Sequence, residues 1–215
     1  MREKVFLIAI LLASGYLLLL PWHPYPLSFV LKPAGIIALA AVAYCSNKPF
    51  SNVLAVGLLF GACGDVLLDV DFFLFGLGSF LISHLVYIAL FVLVSRQSGW
   101  RGKTANIYIA VLAVFGIALL AWLIPSLGDM TVPVTVYVVV ISLMAGLSIK
   151  TYFQRVQLAV GAALFVVSDA MIAVSMFKMD FFASSPLIWI TYFGAQYCIT
   201  KGFLSGWERN KTVTR

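Results

Sequence analysis

The chain consists of long apolar runs separated by short segments that carry charged residues, Pro, Gly or Asn. A helix needs roughly 20 mostly apolar residues to cross the hydrocarbon core of a membrane, and most of these runs approach that length. No run alternates apolar and polar residues as a strand of an outer-membrane barrel does. The pattern predicts an all-α polytopic bundle of eight transmembrane helices, approximately at residues 5–20, 27–45, 52–68, 74–95, 105–124, 131–149, 156–177 and 186–205.

Composition places the whole chain in the membrane. Hydrophobic residues make up 63% of the 215 residues and charged residues only 10%, whereas a soluble domain is about 25% charged. Eight spans use about 160 positions and leave about 55 for all tails and connections. We therefore expect one integral membrane domain over residues 1–215, with no soluble catalytic module and no nucleic-acid partner, although the formal net charge is +6. Any chemistry then takes place between the helices.

The distribution of Lys and Arg predicts the orientation in the membrane. Cations are retained on the cytoplasmic side, and here they precede the first run and follow the second, fourth, sixth and eighth runs. On the opposite side the cations are Lys32 and Lys178. That side also holds most of the acids of the connections, which are Asp69, Asp71, Asp129 and Asp180. Both termini are therefore predicted to be cytoplasmic, and Asp69 and Asp71 are expected to be solvated loop residues.

Two segments of the chain resemble each other. Residues 57–68 (GLLFGACGDVLL) and residues 161–172 (GAALFVVSDAMI) both begin with Gly and have Asp at the ninth position. The two segments lie on the third and the seventh predicted helices, so both run in the same direction, which indicates a parallel duplication of a four-helix unit. Chance similarity between apolar segments is the alternative. Gly57 and Gly61 also form a small-xxx-small pattern, which is typical of close helix packing.

The most informative residues are two acids inside apolar runs, Asp65 and Asp169. A carboxylate in the middle of a transmembrane helix costs about 3 kcal/mol on insertion scales, so such residues usually face a cavity or a functional site. At 1.5 Å per residue, both fall in the outer half of the bilayer or near its middle. They are therefore the first candidates for catalytic residues.

Other polar side chains fall at a similar predicted depth. His84 and Tyr87 lie on one face of the fourth helix, and Tyr192 and Gln196 are four residues apart on the eighth. Lys32 on the second helix can hold its ammonium in the outer half of the bilayer. From this coincidence we expect one cavity in the outer half of the bilayer, lined by Asp65, His84, Asp169 and Gln196.

Each of these residues also has a purely structural interpretation. An intramembrane Asp can lock two helices together, and His84 or Gln196 can form a hydrogen bond between helices. Lys32 can extend its side chain to the membrane surface. A single His beside two Asp is a weak metal-binding constellation, so no metal site is predicted. The joint occurrence at one depth, more than any single residue, favours a functional site.

Several segments resemble the YhhN-type lysoplasmalogenase family of eight-helix membrane proteins. The segments are residues 60–68 (FGACGDVLL), 75–87 (FGLGSFLISHLVY), 161–169 (GAALFVVSD) and 192–196 (YFGAQ). Tyr137 with Ile141 and Met144, and Lys32 with Pro33, are also similar to that family's pattern. The resemblance extends over nearly the whole chain in order and spacing.

The resemblance implies hydrolysis of the vinyl ether bond of lysoplasmalogens in a membrane, with no cofactor. The resemblance then implies a lysophospholipid as the substrate and membrane lipid as the environment of the protein. We expect the protein to lie in the inner membrane of a bacterium. In this interpretation Asp65 and Asp169 act as acid and base, and His84 orients a group or shuttles a proton. Lys32 attracts the lipid phosphate. The residues that position substrate or water are Tyr87, Tyr192 and Gln196.

A transporter is the alternative function from a different class. The same polar residues suit the central site of a proton-coupled transporter, with the two copies of the repeat as its moving halves. Turnover of a vinyl ether lipid in detergent distinguishes the two, because transport requires a sealed vesicle.

The predicted orientation is testable with reporter fusions. A reporter fused after Arg215 should report the cytoplasm, and one inserted beside Asp129 should report the opposite side, because an odd number of predicted helices separates the two positions. Reporters on the same side would contradict the predicted topology.

Overall fold

The fold of the described chain is built from α-helices, with no β-strand in the parts of the chain that the structure covers. This computed structural model describes residues 2–99, 104–151 and 155–213, so residues 1, 100–103, 152–154 and 214–215 of the predicted domain lie outside the described residues. The helices are α1 (Arg2–Leu19), α2 (Ser28–Tyr44), α3 (Ser51–Asp69), α4 (Phe73–Ser98), α5 (Thr104–Leu127), α6 (Thr131–Lys150), α7 (Arg155–Phe177) and α8 (Ser184–Val213). The all-α class is confirmed.

Among the described residues, five stretches are long and apolar enough to cross a membrane. They are Arg2–Trp22, Ser51–Asp69, Phe73–Ser98, Ala105–Lys150 and Val156–Phe177. The fourth stretch has 46 residues and contains both α5 and α6, which are joined by a 3₁₀ turn at Gly128–Met130. The chain is therefore an integral membrane protein. The count of eight spans and the duplication of a four-helix unit stay predictions.

The chain divides into two compact units. Unit 1 comprises Met1–Leu90 with Phe203–Arg215, and unit 2 comprises Phe91–Gly202. Unit 1 thus holds α1, α2, α3, most of α4 and the end of α8, whereas unit 2 holds α5, α6, α7 and most of α8. The prediction of a single domain over residues 1–215 stays a prediction.

In unit 1, α3 and α4 approach each other closely because glycines face aromatic rings. A Cβ at Gly57 would lie 2.6 Å from Cε1 of Tyr87, and one at Gly64 would lie 2.8 Å from Cε2 of Phe80. The hydroxyl of Ser83 donates a hydrogen bond of 2.7 Å to the carbonyl of Gly57. The close packing predicted from the small-xxx-small pattern is confirmed at Gly57.

In unit 2, α7 and α8 pack in the same way. A Cβ at Gly161 would lie 2.8 Å from Cγ1 of Ile199 and 3.0 Å from the carbonyl oxygen of Ala195. The hydroxyl of Ser168 donates a hydrogen bond of 3.2 Å to the carbonyl of Ile188. Each copy of the sequence repeat therefore uses its first glycine for a close helix contact.

Asp180 organises the connection between α7 and α8. One oxygen of its carboxylate accepts hydrogen bonds from the Ser184 hydroxyl at 2.8 Å, the Phe181 N–H at 2.9 Å and the Ser175 hydroxyl at 3.0 Å. These hydrogen bonds, first that of Ser184, hold the pKa of Asp180 below its ordinary value. These hydrogen bonds hold the connection against the last turn of α7 and the first turn of α8.

The α3–α4 contact predicts the effect of adding one methyl group. Gly57→Ala should destabilise the protein by about 1–3 kcal/mol, because the new Cβ overlaps the fully buried ring of Tyr87. Gly78→Ala is the matched control on α4, since nothing lies within 4 Å of its added Cβ. Thermal unfolding in detergent measures both variants. Equal midpoints for the two would contradict the close contact.

Candidate functional site

Asp65 lies deep in unit 1. It is on α3, one residue after Gly64, and is only 2% exposed. His84 and Tyr87 on α4 are both fully buried in the same unit. The hydrogen bond from Ser83 to Gly57 sets an antiparallel register in which Asp65 and His84 are offset by about 13 Å along the helix axis, which is more than two turns. Three of the predicted site residues are therefore buried in unit 1, at different levels of the α3–α4 pair.

A second polar group lies at the end of α3, around the carboxylate of Asp69. Its Oδ1 lies 3.0 Å from Nε2 of His23 and 3.6 Å from Nζ of Lys32, and its Oδ2 accepts a hydrogen bond of 2.5 Å from the Ser28 hydroxyl. The side chain of Asp69 is 2% exposed. We call these four residues, His23, Ser28, Lys32 and Asp69, the Asp69 cluster.

The prediction that Asp69 is a solvated loop residue is wrong. α3 continues through Asp69, and the segment between α1 and α2 supplies His23 to cover the carboxylate. The spacing was the available signal, because Asp65 and Asp69 are four residues apart and therefore share one face of α3. Asp71, in contrast, is exposed as predicted.

Two tyrosines adjoin the Asp69 cluster. The ring of Tyr25 meets that of His23 edge-to-face, with 6.2 Å between centroids. Burial, and next the charge of Asp69, raise the pKa of the Tyr25 phenol above its ordinary value, so this group is a neutral O–H donor. Tyr16 on α1 is buried and interacts electrostatically with both Asp69 and Asp65. The polar groups of α1, α2 and α3 thus form a continuous set along one face of α3.

In unit 2, the structure groups three predicted site residues around a tyrosine. The hydroxyl of Tyr137 on α6 donates a hydrogen bond of 2.6 Å to Oδ2 of Asp169 on α7. Tyr192 on α8 interacts electrostatically with Tyr137, and Nε2 of Gln196 donates a weak hydrogen bond of 3.4 Å to the Tyr192 hydroxyl. Tyr137 therefore links Asp169 to Tyr192, and Tyr192 in turn contacts Gln196.

Sequence reasoning missed the role of Tyr137. The sequence marks this residue only as part of the family pattern, because its hydrogen bond to Asp169 depends on how α6 packs against α7. Helix periodicity does not specify that packing. A tyrosine at similar depth on a neighbouring apolar helix was the one signal available.

The remaining predictions on the site have different outcomes. One cavity that includes Asp65, His84, Asp169 and Gln196 stays a prediction, because the first two residues belong to unit 1 and the last two to unit 2. Within the described ranges, no group of three His, Cys, Asp or Glu side chains is placed to hold a metal ion. The chemistry that the described groups offer is proton transfer by carboxylates and hydrogen bonding by phenols and an amide.

Comparison with known proteins identifies relatives along most of the chain. A protein of Mycobacterium bovis named lysoplasmalogenase is 36% identical over 188 residues, which are 84% of this chain and 71% of the relative. A Mycobacterium tuberculosis protein of the same name gives the same values. A Bos taurus protein named lysoplasmalogenase TMEM86A is 33% identical over 170 residues, 74% of this chain and 68% of the relative.

No solved structure matches the chain at a significant level. The model of the YhhN family matches residues 27–203. This range includes Asp65, His84, Tyr137 and Asp169, and of the Asp69 cluster it includes Ser28, Lys32 and Asp69 but not His23. The chain therefore belongs to the YhhN family.

Proposed function

We propose that this protein hydrolyses the vinyl ether bond of lysoplasmalogens to a fatty aldehyde and glycerophosphoethanolamine or glycerophosphocholine. The observation that carries the proposal is the similarity, over most of the chain, to relatives named lysoplasmalogenase. The buried carboxyl group of Asp65 and the half-buried one of Asp169 support it, because carboxyl groups within apolar helices supply proton donors and acceptors away from bulk water.

The reaction requires an acid, a base and negative charge near a developing cation. Protonation of the outer alkene carbon converts the vinyl ether into an oxocarbenium-like cation. Water then adds to the adjacent carbon and loses a proton, and the resulting hemiacetal breaks its bond to the glycerol oxygen to give the aldehyde and the free alcohol. Two carboxyl groups that differ in protonation meet all three requirements, as in glycosidases. The steps need no metal or cofactor.

In the proposed mechanism, Asp65 and Asp169 share the acid and base roles. The hydrogen bond from Tyr137 fixes the orientation of the Asp169 carboxylate, which makes Tyr137 a positioning residue. The buried imidazole of His84 orients a group or shuttles a proton within unit 1. A carboxyl group that is held in one orientation transfers its proton to the substrate more readily than one that rotates freely.

The other predicted residues are proposed to hold the substrate. Tyr87 and Tyr192 are buried aromatic residues that suit an alkenyl chain, and Gln196 can bind water or a glycerol hydroxyl. Lys32 supplies positive charge for the phosphate of the lysophospholipid.

We further propose that the protein crosses the inner membrane of a bacterium eight times, with both termini in the cytoplasm. Two observations support the eight spans. The 46-residue apolar stretch Ala105–Lys150 would extend about 69 Å as one helix, more than twice the roughly 30 Å of hydrocarbon, and it holds two helices instead. α2 is a shorter apolar helix beyond the five stretches, and α8 is a further helix of 30 residues. The parallel duplication is proposed on the matched glycine contacts of α3 and α7.

The transporter alternative is not supported by the relatives, whose names are those of an enzyme. An enzyme turns over its substrate in detergent, whereas a transporter requires a sealed compartment. Lysoplasmalogen cleavage by the purified protein in detergent micelles would confirm the enzyme.

Removal of either carboxyl group should abolish most of the turnover. We expect Asp65→Asn and Asp169→Asn each to lower kcat at least about 100-fold, because each removes a group that donates or accepts a proton in the reaction. Asp129→Asn is the matched control, since this exposed Asp lies in the turn between α5 and α6. Aldehyde release from lysoplasmenylethanolamine in detergent, per folded and monodisperse protein, measures kcat.

A purely structural role for the two acids predicts the opposite pattern. The Asn variants would then be poorly extracted and unstable, while the folded fraction would retain activity within a fewfold of the original chain. That result would reject acid/base catalysis by Asp65 and Asp169.

A further inference from the structure

The Asp69 cluster takes no part in proton transfer in the proposed mechanism, yet it concentrates charge at the end of α3. Two basic side chains, His23 and Lys32, flank a single carboxylate, and Ser28 donates to that carboxylate. Placing several charged side chains beside apolar helices costs free energy, and such residues usually serve a function. That function is here the binding of a ligand whose charge is opposite to that of the cluster.

The exposed side chains of the Asp69 cluster determine whether the ligand is an anion or a cation. The side chain of Asp69 is 2% exposed and already faces three donors, so its oxygens are not offered to a ligand. The side chains of His23 and Lys32 are 32% and 18% exposed. An ammonium group has three N–H donors, and its contact with one carboxylate leaves donors for another acceptor. A ligand that approaches the cluster therefore meets donors and positive charge, which favours an anion.

A neutral donor completes the set. The hydroxyl of Tyr25 is buried and has no hydrogen-bond partner among the described residues, and the Tyr25 ring packs against His23. A buried hydroxyl without a partner costs free energy comparable to a lost hydrogen bond. An oxyanion with several acceptor oxygens, such as a phosphodiester, can satisfy Lys32, His23 and Tyr25 together.

The spacing along α3 matches the shape of a lysophospholipid. Asp69 is four residues after Asp65, which corresponds to about 6 Å along the helix axis. In a lysoplasmalogen, five bonds of the glycerol backbone separate the vinyl ether oxygen from the phosphorus. Three bonds of an extended polypeptide backbone span about 3.5 Å, so five bonds of an extended glycerol backbone span about 6 Å. A phosphate at the Asp69 cluster thus leaves the vinyl ether at the level of Asp65.

We propose that the Asp69 cluster is the phosphate subsite for the lysophospholipid, with Lys32 and His23 in contact with the phosphodiester. Asp69 and Ser28 are positioning residues, which hold the two basic side chains at the end of α3. The assignment deepens the proposed function and rests on it for the identity of the lipid.

Two substrates test the subsite by kinetics. One is lysoplasmenylethanolamine, and the other is the 1-alkenylglycerol with the same chain, which has the vinyl ether but no phosphate. Lys32→Gln and His23→Gln should raise KM for the phospholipid about 10- to 100-fold, the loss expected for a charged hydrogen bond, with kcat changed less than about twofold. Neither variant should alter kcat/KM for the alkenylglycerol.

Further variants separate charge from packing. Lys32→Arg keeps the charge and should retain most of the affinity, whereas Asp69→Asn should raise KM for the phospholipid alone, because it releases both basic side chains. Lys178→Gln is the matched control, since Lys178 contacts Ser126 and the ring of Trp122 and has no part in the cluster. Equal losses with both substrates, or no loss with either, would overturn the phosphate subsite while the lysoplasmalogenase activity stands.

Binding measurements test the subsite without turnover. Glycerophosphoethanolamine should bind the purified full chain in detergent, and Lys32→Gln should weaken that binding at least about tenfold. If the protein shows this binding but cleaves no lysoplasmalogen, the proposed function fails and the phosphate subsite stands. If inorganic phosphate binds as tightly as glycerophosphoethanolamine, the cluster is a site for free phosphate and the head-group assignment is overturned.

Discussion

The fold depends on keeping carboxylates within apolar helices at an acceptable free-energy cost. Each such group costs about 3 kcal/mol on insertion scales unless the protein compensates it. The chain does so differently at each position. Asp69 is surrounded by three donors, Asp169 accepts a hydrogen bond from Tyr137, and Asp65 is buried close to Tyr16. The same arrangements that lower the cost also fix the position of each carboxyl group, which is what acid/base catalysis requires.

Close packing of small residues makes these arrangements possible. Lipid tails are as apolar as Leu side chains, so helices in a membrane associate mainly through van der Waals contact and hydrogen bonds. Gly57 lets α3 approach the ring of Tyr87, and Gly161 lets α7 approach Ala195 and Ile199 of α8. In each pair, the helix that bears the Asp is held against its neighbour eight residues before that Asp. The glycines therefore position the carboxyl groups indirectly.

The sequence was sufficient to predict the helices, because apolar runs of about 20 residues are a strong and local signal. The predicted ends agree with the structure within a few residues except for α8, which ends at Val213 where 205 was predicted. A prediction from hydrophobicity stops where polar residues begin, whereas backbone hydrogen bonding continues through them. The candidate residues were also recognisable, since an acid in an apolar run is rare.

The partners of those residues were not predictable in the same way. The position of Asp69 after the apolar run predicts a loop residue, and only the spacing from Asp65 indicates otherwise. The pairing of Tyr137 with Asp169 is a contact between two helices, and it depends on the rotation of each about its axis. Single-helix periodicity gives a face for each residue but does not specify which neighbouring helix that face meets.

The central claim is that a carboxyl group of this protein protonates a carbon atom of the substrate. The most direct measurement is hydrolysis of a lysoplasmalogen in D₂O, with the aldehyde reduced as it forms so that later exchange cannot add deuterium. The account predicts one deuterium on the carbon next to the carbonyl, in a single configuration, because a fixed acid delivers it to one face of the alkene. Without deuterium at that carbon, or with both configurations in equal amounts, protonation by a positioned Asp would be contradicted.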